Sequence, residues 1–165
     1  MPKKFKLDIT FENESVLFGI CSHLKDYRIV WHLNKQLELK FSKTEDFEYQ
    51  INKQQKIQNF SCYYYKDISN LSTYYFLSNT SVSENKYLIS EHKQANYLMF
   101  CDRPLHNKNT KSLLSNIKQT SNILTAYEIN QEAITNLYNI ISDIELHITT
   151  IEKLKKEKKN KYNIV

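Results

Sequence analysis

The 165-residue chain contains a single glycine, Gly19. A phosphate-cradling loop needs several glycines so that backbone can approach the ligand, so that class of nucleotide site is excluded. Gly19 reads instead as a close-packing point or a bulge in a strand. Cysteine is also scarce. Cys21, Cys62 and Cys101 are odd in number and far apart, which excludes a disulfide framework of the secreted type. Cys21 and Cys101 end the apolar runs "LFGIC" and "YLMFC", where a thiol acts as a small hydrophobe. Nowhere do 18 apolar residues follow one another, so no membrane span is expected. The start, "MPKKFKLDITFENES", lacks an apolar signal region, and the expectation is a cytoplasmic protein without a signal peptide.

Motifs that would announce chemistry are missing as well. The five histidines, at 23, 32, 92, 106 and 147, have no metal-ligand spacing. There is no HExxH and no Cys-x-x-Cys, so no metal and no cofactor are expected. Ser22 next to His23 is not a triad, which needs a hydrogen-bonded chain in space.

What is present is a globular composition, 41% hydrophobic and 13% aromatic. The net charge of +5 sits mostly in the last residues. Glu152 to Val165 holds six lysines and two glutamates, leaving 17 basic and 16 acidic residues elsewhere. The body is therefore nearly neutral, which argues against a folded nucleic-acid-binding face. "CYYYKD" and "TYYFL" could offer rings to single-stranded RNA. However, the RNP pattern is absent, and alternating aromatics on strands are more often core.

Periodicity gives the element order. Phe5, Leu7 and Ile9 alternate with polar residues as in a half-buried strand, and "SVLFGIC" is a second strand. Ser22 can cap a helix to about Leu37, with Ile29, Val30, Leu33 and Leu37 as its apolar stripe. Asp26, at the start of that stripe, is favoured by the helix dipole. "LELKF" reads as a strand, and "KTEDFEYQINKQQKIQ" as a polar loop. "NFSCYYYKD" and "STYYFLSN" form a hairpin through "ISNL". After a polar connection come the strand "ANYLMFC", the loop "DRPLHNKNT", the helix "KSLLSNIKQ" and the strand "ILTAYEI". This order predicts an α+β domain over residues 1–130. Its sheet is mainly antiparallel with helices on one face, ferredoxin-like with insertions.

The stretch "ISEHKQANY" resembles the signature of a small bacterial family named for its motif, IPExxxVDY. Ile89, Glu91 and Tyr97 match, whereas Ser90, Ala95 and Asn96 replace Pro, Val and Asp. "KFKLD", "GICSHLKDYR", "WHLNKQL", "LTAYEI" and the ending "KKNKYNIV" resemble the same family in the same order. The resemblance implies no reaction, ligand or cofactor. It marks Ser22, Asp26, Tyr27, Arg28, Asn34, Glu91 and Tyr97 as recurrent polar positions. Asn96 cannot act as the general base or metal ligand that an aspartate could be. Two readings follow: a turn ahead of a core strand, with Glu91 pairing with Arg28 or capping a helix, or a polar pocket where Asp26, Arg28, Glu91 and Tyr97 converge, with Ser22 and Tyr27 nearby.

The tail is a helix of its own over residues 131–158, capped by Asn130, with 159–165 as a solvated terminus. Ile134, Leu137, Ile141, Ile144, Ile148 and Ile151 recur at 3-4-3-4-3 spacing. That is the seam of a coiled coil, and it must pack on its own domain, another copy or a partner helix. The expected function is a non-enzymatic interaction or scaffold protein associating through this helix. The alternative is a small-ligand-binding or regulatory domain using the polar positions, with an RNA-binding module behind both; nucleic acid is not the expected partner, and no membrane partner is expected.

Overall fold

The computed structural model describes residues 15–102 and 110–162. The expected strand around Phe5–Ile9 and most of the loop "DRPLHNKNT" lie outside the described residues.

The order is β1 (Val16–Cys21), α1 (Asp26–Leu37), β2 (Ser42–Lys43), β3 (Phe47–Tyr49), β4 (Gln58–Phe60), β5 (Cys62–Asp67), β6 (Ser72–Ser78), β7 (Tyr97–Asp102), α2 (Thr110–Lys118), β8 (Thr125–Glu128) and α3 (Leu137–Tyr162). Six strands make one antiparallel sheet ordered β2-β5-β6-β7-β1-β8. Within it, β1-α1-β6-β7-α2-β8 has the ferredoxin-like arrangement, and β2 to β5 are the insertion that widens one edge.

Side chains alternate across the strands, so each strand feeds two cores. Val16, Phe18, Ile20, Phe76 and Met99 meet Ile29, Val30, Leu33 and Leu37 of α1 and Leu113 and Ile117 of α2. The intervening Leu17, Leu77, Leu98 and Phe100 meet α3 through Leu137, Ile140, Ile144 and Ile148. The sheet is thus covered on both sides, which explains its nearly continuous apolar strands.

The C-terminal helix is part of the domain. Residues Ile134, Leu137, Ile144, Ile148 and Ile151, expected as an interface, are buried in their own chain, and Ile141 is partly buried. The buried positions within α3 are Leu137, Ile140, Ile144, Ile148 and Ile151, a 3-4-4-3 spacing. That spacing suits a straight helix lying on a sheet better than a strict heptad seam. The helix also starts later than expected. Asn130 caps only a single 3-10 turn, Gln131–Ala133, and Asn136 in the left-handed region (φ 63°) separates this turn from α3. At its other end the helix continues past 158 to Tyr162.

Three other expectations are corrected. Ser22 does not cap α1, which begins four residues later behind Lys25 without a side-chain cap. Instead, the Ser22 hydroxyl donates to Asn122 O at 2.8 Å and accepts from Leu24 N at 3.2 Å. "LELKF" is not a strand. Glu38 ends α1 in the left-handed region, and Asn34 bonds both the N–H (2.9 Å) and the carbonyl (3.2 Å) of Phe41, holding that segment against the helix. The supposed polar loop holds β3 and the first residue of β4, whose other two residues fall in the expected strand "NFSCYYYKD"; buried Phe47 and Phe60 anchor this hairpin against the α3 side of the sheet.

Candidate functional site

Residues 88–97 form a bend held from within. Asn79, fully buried, follows β6. Its side-chain amide donates to the carbonyls of Ile89 (3.3 Å), His92 (2.9 Å) and Ala95 (3.0 Å) and accepts from the N–H of Ile89 (2.9 Å). One side chain thereby pairs the Ile89 N–H and the Ala95 carbonyl and adds a second bond to the Ile89 and His92 carbonyls, which already accept from His92 N (3.2 Å) and Ala95 N (3.0 Å). Asn96 completes the bend by accepting from Ser22 N at 2.9 Å. Only an acceptor is needed there, which an amide supplies as well as a carboxylate.

Of the sequence-derived site residues, Ser22 and Tyr97 come together. Both line a shallow recess of about 440 Å³ that also includes Lys25, Ser78, Thr80 and Asn96. Tyr97 donates its phenol proton to Leu24 O at 2.6 Å, and burial, then the nearby Asp26 charge, pushes its pKa up to about 12. Glu91 is elsewhere. It is exposed and accepts from Thr135 N at 3.4 Å, ahead of α3, and makes no ion pair with Arg28. Tyr27 and Arg28 point to solvent from α1. The four-residue pocket of Asp26, Arg28, Glu91 and Tyr97 is therefore not assembled.

Asp26 enters a different cluster. Its carboxylate accepts from Ser61 Oγ and from Tyr63 Oη, the latter at 3.1 Å. Lys43 Nζ donates to Ser61 Oγ at 3.0 Å and pairs with Asp46 at 2.6 Å. Burial alone would raise the Asp26 pKa. The Ser61 bond, the Tyr27 backbone N–H, the Tyr63 phenol and the Lys43 charge outweigh that and hold it below the ordinary carboxylate value. An ionised, internally bonded Asp26 is a poor proton carrier. Ser61 is buried, and the Lys43 ammonium already serves Asp46, so the trio is no nucleophile–base pair. Its action is to tie the first turn of α1 to β2 and β5.

The two buried thiols are held protonated. Burial pushes the Cys62 and Cys101 thiols up to about 12, which leaves no thiolate to attack or ligate. Among the described residues no three His, Cys, Asp or Glu side chains gather as a metal site. No helix of the described residues is long and apolar enough to cross a membrane.

Sequence reasoning missed one surface. Trp31, the sole tryptophan, is 59% exposed on α1, and Tyr27, one turn earlier, is 60% exposed. Lys35, one turn later, lies over the indole with its ammonium 5.4 Å from the ring centre, and Arg28 stands exposed beside them. The signal was available: positions 27, 31 and 35 fall on the face opposite Ile29, Val30 and Leu33. The chain matches no family model and no curated protein.

Proposed function

We propose that this chain is a non-enzymatic interaction domain that binds a protein partner through the exposed face of α1. The observation carrying this reading is the exposed Tyr27–Trp31 pair flanked by Arg28 and Lys35. Trp, Tyr and Arg are the side chains that most often dominate the energy of protein interfaces. Large rings left in water on a rigid helix lose little conformational freedom when covered. The partner suited to this face has an apolar recess with an acidic rim. In this reading α3 is not the association element, because its apolar stripe already covers the sheet of its own chain.

The test is fractionation of native extracts containing the full chain or its Tyr27→Ala/Trp31→Ala variant. The parent should elute in an assembly larger than itself. The variant should elute at its own size while melting at the parent's temperature, since neither ring supports the core. A variant that elutes with the parent assembly would refute the proposal.

A further inference from the structure

We infer that the C-terminal end of α3 is a sequence-independent docking site for nucleic acid. The sequence reads as a helix to 158 with 159–165 as a solvated terminus, and the structure extends the helix to Tyr162. Ile151 is the last buried residue of α3, and the helix continues for eleven residues, to Tyr162. At 1.5 Å per residue that is a rod of roughly 16 Å beyond the core. It carries Lys153, Lys155, Lys156, Lys158, Lys159 and Lys161, all exposed, and none forms an ion pair among the described residues.

The rod is fixed to the edge of the sheet. Glu152 pairs with Lys66 of β5 at 2.6 Å, and the Lys155 ammonium lies 5.8 Å from the centre of the Tyr64 ring, also on β5. Glu152 is thereby neutralised, and Glu157 is the one remaining acid on the rod. Lysines three and four residues apart, such as Lys155 with Lys158 and Lys159, repel one another along a helix. A polyanion removes that repulsion.

The distribution of charge selects the partner class. The lysines run around the helix instead of sharing one side, and Leu154 is the sole aliphatic residue among them. An interfacial membrane helix needs a continuous apolar face, which is absent here. A protein partner would need buried anchors at the centre of its footprint, and this rod offers none. A phosphate backbone needs only closely spaced cations. The rod spans about five phosphates of one duplex strand at 3.4 Å each, and an α-helix fits the roughly 12 Å width of the major groove.

The test is fluorescence anisotropy of the full chain with labelled mixed-sequence duplex DNA and duplex RNA across a salt series, with polyglutamate and anionic vesicles as rival anions. Saturable binding to nucleic acid at low salt is expected, with a log–log salt slope of roughly −4.5 for about five net charges. The Lys155→Glu/Lys156→Glu/Lys158→Glu/Lys159→Glu variant should melt like the parent and bind more than about tenfold more weakly. The inference is overturned if low-salt binding is absent, if the variant binds as the parent does, or if polyglutamate or vesicles bind as tightly as nucleic acid. None of these outcomes touches the Trp31 face, which is tested separately.

Discussion

The side-chain amide of Asn79 bonds both backbone groups of Ile89, accepting from its N–H at 2.9 Å and donating to its carbonyl at 3.3 Å. The same amide holds His92 and Ala95, so the segment carrying the family-like motif is shaped by a residue outside the motif. Asn79→Ala should cost about 2–4 kcal/mol, because the Ile89 N–H and the Ala95 carbonyl lose their partner and two further carbonyls lose a second bond. Asn79→Asp should be no better at neutral pH, since a carboxylate cannot donate to three carbonyls. Chemical denaturation of both variants reads this out. A loss below about 0.5 kcal/mol, the level of an ordinary surface change, would remove the clamp.

Gly19 leaves room for Tyr127. A Cβ at position 19 would stand 2.7 Å from Tyr127 Cζ and 3.1 Å from Ala95 Cβ. Gly19→Ala should destabilise by about 1–3 kcal/mol through overpacking. Pairing it with Tyr127→Ala should recover part of that loss, giving a non-additive double-mutant cycle. Strict additivity would show that the ring does not cause the constraint.

Asp26 makes a pH-dependent contribution. Its pKa is depressed in the folded state, so it stabilises the fold above the ordinary carboxylate value of 3.8. That stability is lost as pH falls through the lower folded value. Asp26→Asn should therefore melt below the parent at neutral pH, and the two curves should converge in acid. Parallel melting curves across the whole range would contradict the Ser61–Tyr63–Lys43 arrangement.

The packing of α3 is tested by concentration. Ile144 and Ile148 are buried against the sheet of the same chain. Replacing both with Asp should lower the melting temperature steeply, since each buried side chain contributes about 1.5–3 kcal/mol and the new charge has no partner. That drop should be the same at low and high protein concentration. A parent whose melting rises with concentration, and a variant whose melting does not, would mean that α3 packs between chains.

Much of the sheet was legible because "VLFGIC", "STYYFLS" and "YLMFC" are long apolar strands bounded by polar turns. The β3–β4 hairpin was not, because Phe47 is a single ring in polar surroundings and Phe60 reads as the start of the next strand, and only the core they enter pairs them. The tail shows a deeper ambiguity. Leu137, Ile144, Ile148 and Ile151 belong to a heptad seam and to a flat-sheet stripe alike, whereas Ile141 extends only the seam and Ile140 only the stripe, so the surface opposite decides the period. At the site, the sequence pointed to Tyr27 and Arg28, and the fold turned them outward with Trp31. It could not place Glu91, whose distance from Asp26 depends on which side of the sheet each connection follows.

The most direct test of α1 as the binding face is photo-crosslinking in cells that make the full chain. The crosslinker replaces Trp31 or, as a control, Ile68, which is 84% exposed in the β5–β6 turn. The account predicts one discrete adduct from position 31, lost in an Arg28→Glu/Lys35→Glu background and absent from position 68. No adduct from position 31, or the same adducts from both positions, would contradict it.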